Sequence, residues 1–179
     1  ENAAQTRPAS EAVGRANRVM LYKSAKYSIE APLLIGAAFA GAEPDLLRGF
    51  SAFGIPLGMA FQLRDDILGV FGDPAVTGKP AGDDLREGKR TVLVGLTRET
   101  LSDSVGKIFD ELLVSRDLTN DQIAFLQQTI RGSGALAKSE RMLEELADQS
   151  LEALDQLNLD PTAKGHLRDL ALKVINRDA

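Results

Sequence analysis

Residues 61–91 read FQLRDDILGVFGDPAVTGKPAGDDLREGKRT, and this segment combines paired carboxylates, glycine breaks and regularly placed cations. Gln62, Asp65 and Asp66 stand at positions i, i+3 and i+4 of an apolar run, so on a helix they share one face. Two adjacent ionised carboxylates repel each other, and a hard divalent cation between them and a ligand would relieve that repulsion. Magnesium fits, because it accepts one or two carboxylates and completes its coordination with water and phosphate oxygens. The helix therefore predicts a magnesium site.

The second half of this segment supplies the opposite charge. The Gly-Asp-Pro triplet at residues 72–74 is predicted to end the helix, and Gly78 and Gly82 keep the connection loose. Lys79 and Lys89 are then free to reach an anionic group held by the metal. Carboxylates on a helix followed by lysines on a loop indicate a site that binds a diphosphate together with a metal ion.

These residues resemble the trans-polyprenyl diphosphate synthases, whose second aspartate-rich motif and trailing lysine motif are similar to FQLRDD and GKPAGDDLREGK. Residues 22–41, YKSAKYSIEAPLLIGAAFAG, are similar to the Lys-Thr helix of that family, with Lys23 and Ser24 in place of the Lys-Thr pair. The resemblance covers nearly all of the chain. It implies an all-α fold, the C-terminal portion of the isoprenoid synthase helical bundle. Residues 1–179 would form one helical domain. The N-terminal half of the synthase, with the first aspartate motif, would be absent from this sequence.

The resemblance also implies a reaction. The chain would be a magnesium-dependent prenyltransferase that condenses isopentenyl diphosphate with an allylic diphosphate, giving an all-trans product expected to be geranylgeranyl diphosphate. The resemblance implies that Asp65 and Asp66 bind the metal. The expected catalytic residues are Lys23, Gln62, Asp65 and Asp66. Substrate binding falls to Lys23, Ser24, Gln62, Lys79 and Lys89. The alternatives are a non-catalytic regulatory subunit, a diphosphate-binding homologue, or a structural helical module whose acidic helix is surface.

One position departs from the family pattern. The motif is commonly DDxxD, but its fifth residue here is Gly69, which removes one possible ligand or water holder. Asp73, one turn further on, could compensate or could simply terminate the helix. Asp84 could hold a metal-bound water or cap the turn at Leu85.

Composition sets further limits. The 21 basic and 26 acidic residues give a net charge of −5, which argues against nucleic acid as a general partner. The chain has no cysteine, which excludes disulfides and thiolate metal sites and is compatible with a cytoplasmic enzyme. The apolar windows 31–42 and 50–61 are expected to be too short and too interrupted for the roughly 20 residues of a membrane span. The single histidine, His166, is expected on the surface, and the family habit implies a homodimer.

Apolar periodicity predicts helices almost throughout the chain, and no strand. Thr119 or Asn120 is suited to cap one helix, and Asp160 with Pro161 opens the last. Pro32 and Pro56 are expected to kink or interrupt their helices. The expected helices are Ser10–Met20, the Lys23 helix, Pro44 to about Val70, Leu101–Leu113, Asp121–Ile130, Leu136–Leu157 and Pro161 to about Asn176.

Overall fold

The computed structural model describes residues 11–78, 80–115 and 117–176, and no strand occurs among them. Ten α-helices and one π-helical segment account for most of this described part. In chain order they are α1 (Ala12–Val19), the π-helical segment (Met20–Glu30), α2 (Ala31–Phe39), α3 (Pro44–Phe71), α4 (Pro74–Thr77), α5 (Asp83–Arg86), α6 (Val92–Thr100), α7 (Asp103–Leu113), α8 (Asn120–Gly132), α9 (Ala135–Gln156) and α10 (Pro161–Ile175). The expected all-α fold is confirmed for the described residues.

The chain divides into two compact units. Among the described residues, the first unit takes those up to Asn17 and from Asp65 to Ser139, apart from the gaps given above. The second unit takes Arg18–Arg64 and the residues from Glu140 onward. The long helix α3 contributes to both units.

In the first unit, α6 is the most deeply buried helix. Every residue from Val92 to Thr97 is buried, which explains the almost continuous apolar run at its start. Thr91 caps this helix by accepting a hydrogen bond from the amide of Val94 at 3.3 Å. Helix α8 packs against both α5 and α6. It begins with a reciprocal capping box, in which the side chains of Thr119 and Gln122 each accept the other's backbone amide proton.

In the second unit, the π-helical segment packs on α2 and α3. A methyl group added at Gly58 of α3 would lie 3.0 Å from the Cβ of Ala25 and 3.1 Å from Cγ1 of Ile29. The absence of a side chain at Gly58 therefore lets the two backbones touch. Helix α9 presents a buried stripe at helical spacing, made of Leu143, Ala147, Ser150 and Leu154. The hydroxyl of Ser150 donates to the carbonyl of Phe53 at 3.0 Å, tying α9 to α3.

The helix expectations were mostly confirmed, with several exceptions. Helix α6 and the two short helices α4 and α5 were not predicted. Pro56 lies inside α3 without interrupting it. Pro32 lies in the first turn of α2, where the helical path changes from π to α. The expected start at Ser10 lies outside the described residues.

By length and composition, α3 could cross a membrane. It has 28 residues, and an 18-residue window reaches a mean hydropathy of 1.2. The expectation that no stretch is long enough for a span was therefore wrong for this helix, because the apolar character continues through Pro56 and the glycines. Phe53, Leu57 and Leu63 of α3 are almost completely buried, and 39% of the apolar window as a whole is buried inside the protein.

Candidate functional site

The acidic residues lie near the end of α3. Gln62, Asp65 and Asp66 fall on one uninterrupted helix, as predicted, so their i, i+3, i+4 spacing gives them a shared side. Asp66 is only 5% exposed, whereas Gln62 and Asp65 are partly exposed. A buried carboxylate requires compensation from polar or charged groups, since burial disfavours its ionised form.

Helix α8 holds the end of α3 in place. The side-chain amide of Gln127 donates to the carbonyl of Val70 at 2.6 Å. The guanidinium of Arg131 lies 4.5 Å above the centre of the Phe71 ring, within the range of a cation–π contact. The first contact satisfies a carbonyl in the last turn of α3, which has no partner within the helix.

The same helix fixes the lysine-bearing loop. Gly82 adopts φ +75° at the start of α5, and a side chain there would overlap Ile123 of α8. The guanidinium of Arg86 donates to the carbonyl of Leu118 at 2.7 Å and to Oδ1 of Asn120 at 2.8 Å. The loop is therefore bound to α8 at both ends of α5, and is less free than its glycines indicated.

Lys89 is part of an ion-pair cluster. Its ammonium lies 2.5 Å from Oδ1 of Asp84 and 3.0 Å from Oε2 of Glu87. Burial lowers the pKa of Lys89, but the hydrogen bonds to Asp84 and Glu87 and their negative charges outweigh it, so the pKa is raised well above its usual value. Lys89 consequently stays cationic throughout the neutral and alkaline range. Its side chain remains 40% exposed, so an incoming anion can still reach it.

Asp84 is the buried partner in this cluster, with 6% of its surface exposed. Burial raises the pKa of Asp84, the charges of Asp65 and Glu87 add to that effect, and Lys89 opposes it, leaving the pKa raised. Helix α5 has Gly82 at its N-cap and no side-chain cap, so the expectation that Asp84 could cap this turn was wrong. The alternative role of Asp84, holding a metal-bound water, stays a prediction.

The fifth motif position faces this same carboxylate. A methyl group built on Gly69 would come within 2.8 Å of Oδ1 of Asp84 and closer still to its Cγ and Oδ2. The space beside the helix backbone at Gly69 is therefore filled by Asp84, a residue 15 positions further along the chain.

The second unit carries the other predicted polar residues. Ser24 is buried on the π-helical segment, and its hydroxyl donates to Oε1 of Gln62 in a short hydrogen bond. Lys23, the preceding residue, is exposed. π-Helical turns are rare and often occur at functional sites, and this one shifts the register of the helix at the predicted Lys-Ser pair.

The remaining predicted residues have separate outcomes. Lys79 lies outside the described residues. Asp73 caps α4 by accepting the amide proton of Ala75 at 2.8 Å, which agrees with a role at the end of α3. His166 is exposed, as expected. The sequence reasoning missed Arg86 and Gln127, since their partners are backbone carbonyls of residues far away in the chain, for which a sequence carries no local signal.

The described residues contain no group of three or more metal-ligating side chains close enough together to hold an ion. This agrees with the donor set expected for magnesium, which takes only one or two protein carboxylates and obtains its other oxygens from water and phosphate. The assignment of Asp65 and Asp66 as metal ligands stays a prediction.

Comparisons with known proteins connect this arrangement to a family. Residues 4–130 match the family model described as Polyprenyl synthetase. Geranylgeranyl pyrophosphate synthase from Corynebacterium glutamicum, complexed with isoprenyl diphosphate and magnesium, is 40% identical, with a TM-score of 0.86 over 92% of this chain and 47% of that one. Heptaprenyl diphosphate synthase component 2 from Geobacillus stearothermophilus is 34% identical over 152 residues, which are 84% of this chain and 45% of the relative. Geranylfarnesyl diphosphate synthase from Aeropyrum pernix is 56% identical over 66 residues, 37% of this chain and 21% of the relative. The chain thus spans less than half of the length of each of these relatives.

Proposed function

Because the chain belongs to the polyprenyl synthetase family, we propose that it serves in prenyl transfer, the condensation of isopentenyl diphosphate with an allylic diphosphate. The main support for the proposal is that the Lys89 ammonium is held in place by an ion pair with Asp84. Lys89 lies in the same unit as Asp65 and Asp66. We also propose that residues 1–179 correspond to the C-terminal half of such a synthase, which agrees with the share of its relatives that the chain spans.

Binding of the allylic diphosphate is assigned to charged residues of both signs. Asp65 and Asp66 would hold Mg²⁺, which when bound neutralises the negative charge of the diphosphate. Lys89 would bind diphosphate oxygens, with Lys79 and Lys23 as further cations. The ion pairs of Lys89 limit the motion of its ammonium, so little side-chain entropy is lost when the anion binds.

The reaction requires one bond to break and one to form. The allylic C–O bond breaks and its electron pair leaves with the diphosphate, while the isopentenyl double bond forms the new C–C bond to the allylic carbon. A proton from the neighbouring carbon then passes to the released diphosphate. Lys89 stabilises the negative charge as it develops on the leaving group. By the family resemblance, Gln62 and the Ser24 hydroxyl, which are hydrogen-bonded to each other, are the proposed groups that stabilise the allylic cation.

The product we propose is geranylgeranyl diphosphate, in line with the name of the C. glutamicum relative. A homodimer in the cytoplasm is the corresponding proposal for the assembly and its location.

The test is an incubation of the full encoded protein with magnesium, radiolabelled isopentenyl diphosphate and allylic primers of increasing length. The dephosphorylated products are then separated by chromatography. We expect a ladder that ends at one chain length. Substituting Asp65→Asn or Asp66→Asn should lower the rate on the order of 10²-fold or more, because the charge that holds the cation is lost. Asp148→Asn, on the exposed side of α9, is the matched control and should leave the rate unchanged.

A second candidate function is a non-catalytic subunit. The G. stearothermophilus relative is named component 2 of its synthase, so a chain of this family can act together with another component. Absence of incorporation with every primer, by a protein that is folded and binds diphosphate with magnesium, would support this candidate over the transferase.

A further inference from the structure

We infer that Asp84 is the positioning residue for Lys89, and that Gly69 is glycine because the Asp84 carboxylate rests directly on its backbone. The inference rests on the proposed function only in treating Lys89 as a diphosphate ligand. The inference concerns position 69, where the common DDxxD pattern has an aspartate and this chain has glycine.

The first step is the contact between Gly69 and Asp84. Even a single methyl group on Gly69 would overlap the carboxylate group of Asp84. Gly69 lies inside α3, where glycine is a poor helix former, and its conformation is an ordinary helical one because its φ is not positive. Backbone conformation therefore does not explain this glycine, and the contact with Asp84 does.

The second step is the confinement of Asp84. Its side chain is 8% exposed, and α5 is fixed at Arg86 by the two hydrogen bonds to the region around α8. The backbone amide of Lys89 also donates to the carbonyl of Asp84 at 3.0 Å, closing the turn between them. A carboxylate held this firmly cannot move away from a new side chain without taking the Lys89 ammonium with it.

The third step is the consequence for Lys89. Its ammonium has the short contact of 2.5 Å with Asp84, while Glu87 is more distant and is itself exposed. A side chain at position 69 would push Asp84 outward, and the Lys89 ammonium would move with it. The cation would remain, but in a different place.

The test is a double-mutant cycle of Gly69→Ala and Asp84→Ala in the full encoded protein. Two readouts are used: the thermal midpoint, and the affinity for inorganic diphosphate with Mg²⁺ by calorimetry. Gly165→Ala, in α10 with nothing within 4 Å of the added methyl, is the control for the glycine substitution. Asp83→Ala is the control for the loss of a carboxylate on α5.

The thermal readout tests the contact itself. Gly165→Ala should raise the midpoint by about 2–4 °C, through helix propensity alone. In the Asp84→Ala background, Gly69→Ala should raise the thermal midpoint by the same amount. With Asp84 present, Gly69→Ala should leave the thermal midpoint unchanged or lower it. An equal rise in both backgrounds would overturn the inference, whether or not the protein binds diphosphate.

The binding readout tests the positioning. We expect Gly69→Ala and Asp84→Ala each to weaken diphosphate binding about tenfold, the size of one charge-assisted hydrogen bond. The double variant should bind no more weakly than Asp84→Ala alone, and Asp83→Ala should bind as the wild type does. Additive losses, or unchanged binding by Gly69→Ala, would overturn the inference. Failure of the wild type to bind diphosphate would instead contradict the proposed function.

Discussion

Substituting Gly58→Ala tests a close contact between α3 and the π-helical segment in the second unit. The added methyl group would lie 3.0 Å from Cβ of Ala25 and 3.1 Å from Cγ1 of Ile29, and closer still to the backbone Cα of Ala25. Since a backbone atom cannot rotate aside, the π-helical segment and α3 must separate at this point.

The magnitude follows from two opposing effects. Overpacking in a well-packed interior costs about 1–3 kcal/mol, and a backbone obstacle places this case near 3. Replacing glycine by alanine inside a helix returns about 1 kcal/mol. We expect the free energy of unfolding to fall by about 2 kcal/mol and the thermal midpoint by about 4–8 °C.

Thermal melts and urea unfolding of the two glycine variants provide the measurement. Gly165→Ala makes the same chemical change where no atom lies within 4 Å, so it should stabilise by about 1 kcal/mol. A Gly58→Ala protein as stable as the Gly165→Ala protein would refute the contact. Since Gly58 precedes Gln62 by one turn and Ala25 follows Ser24, the separation should also lengthen the hydrogen bond between Ser24 and Gln62.

Two further predictions concern polar contacts. Burial raises the pKa of Glu30, but the hydrogen bonds from Lys26 and Ser51 and the charge of Lys26 lower it more, so the net pKa lies below its ordinary value of 4.5. The resulting stability is present above pH 4.5 and is lost as the pH falls through the lowered pKa. Glu30→Gln should therefore lower the free energy of unfolding by about 1 kcal/mol at pH 7, a figure that allows for the partial exposure of Lys26. In urea unfolding, the difference in free energy between the wild type and the variant should become smaller below pH 4.5. A difference that becomes larger in acid would contradict the prediction. Gln127→Ala, which removes the 2.6 Å hydrogen bond to the Val70 carbonyl, should lower the unfolding free energy by about 1–2 kcal/mol, whereas Gln128→Ala on the exposed side of α8 should be nearly neutral.

Local chemistry accounts for the features that the sequence predicted correctly. Thr119 was expected as a cap because threonine before a periodic apolar run accepts a backbone amide, and Asp160 caps α10 by the same rule. The bounds of α3 and α9 were close to those expected, since both helices repeat apolar residues at helical spacing.

The features that were missed depend on residues far apart in the chain. Lys89 was expected to be free, because the glycines before it indicated a loose loop, but it is paired with Asp84. The loop is instead held by Arg86 to the Leu118 carbonyl, a contact that no local pattern indicates. The π-helical segment is another case, since hydrogen bonds from residue i to i+5 leave no periodicity that separates them from an α-helix.

The role of α8 has a consequence for the order of folding. The hydrogen bond from Gln127 to Val70 joins residues 57 apart, and that from Arg86 to Leu118 joins residues 32 apart. Contacts between distant residues form only after the intervening chain has closed into a loop, whereas each helix can begin to form locally. We therefore expect the long helix α3 to be helical before the acidic and basic residues acquire their fixed separation. The chain would then acquire its ability to bind a diphosphate late in folding, and would lose it early in unfolding.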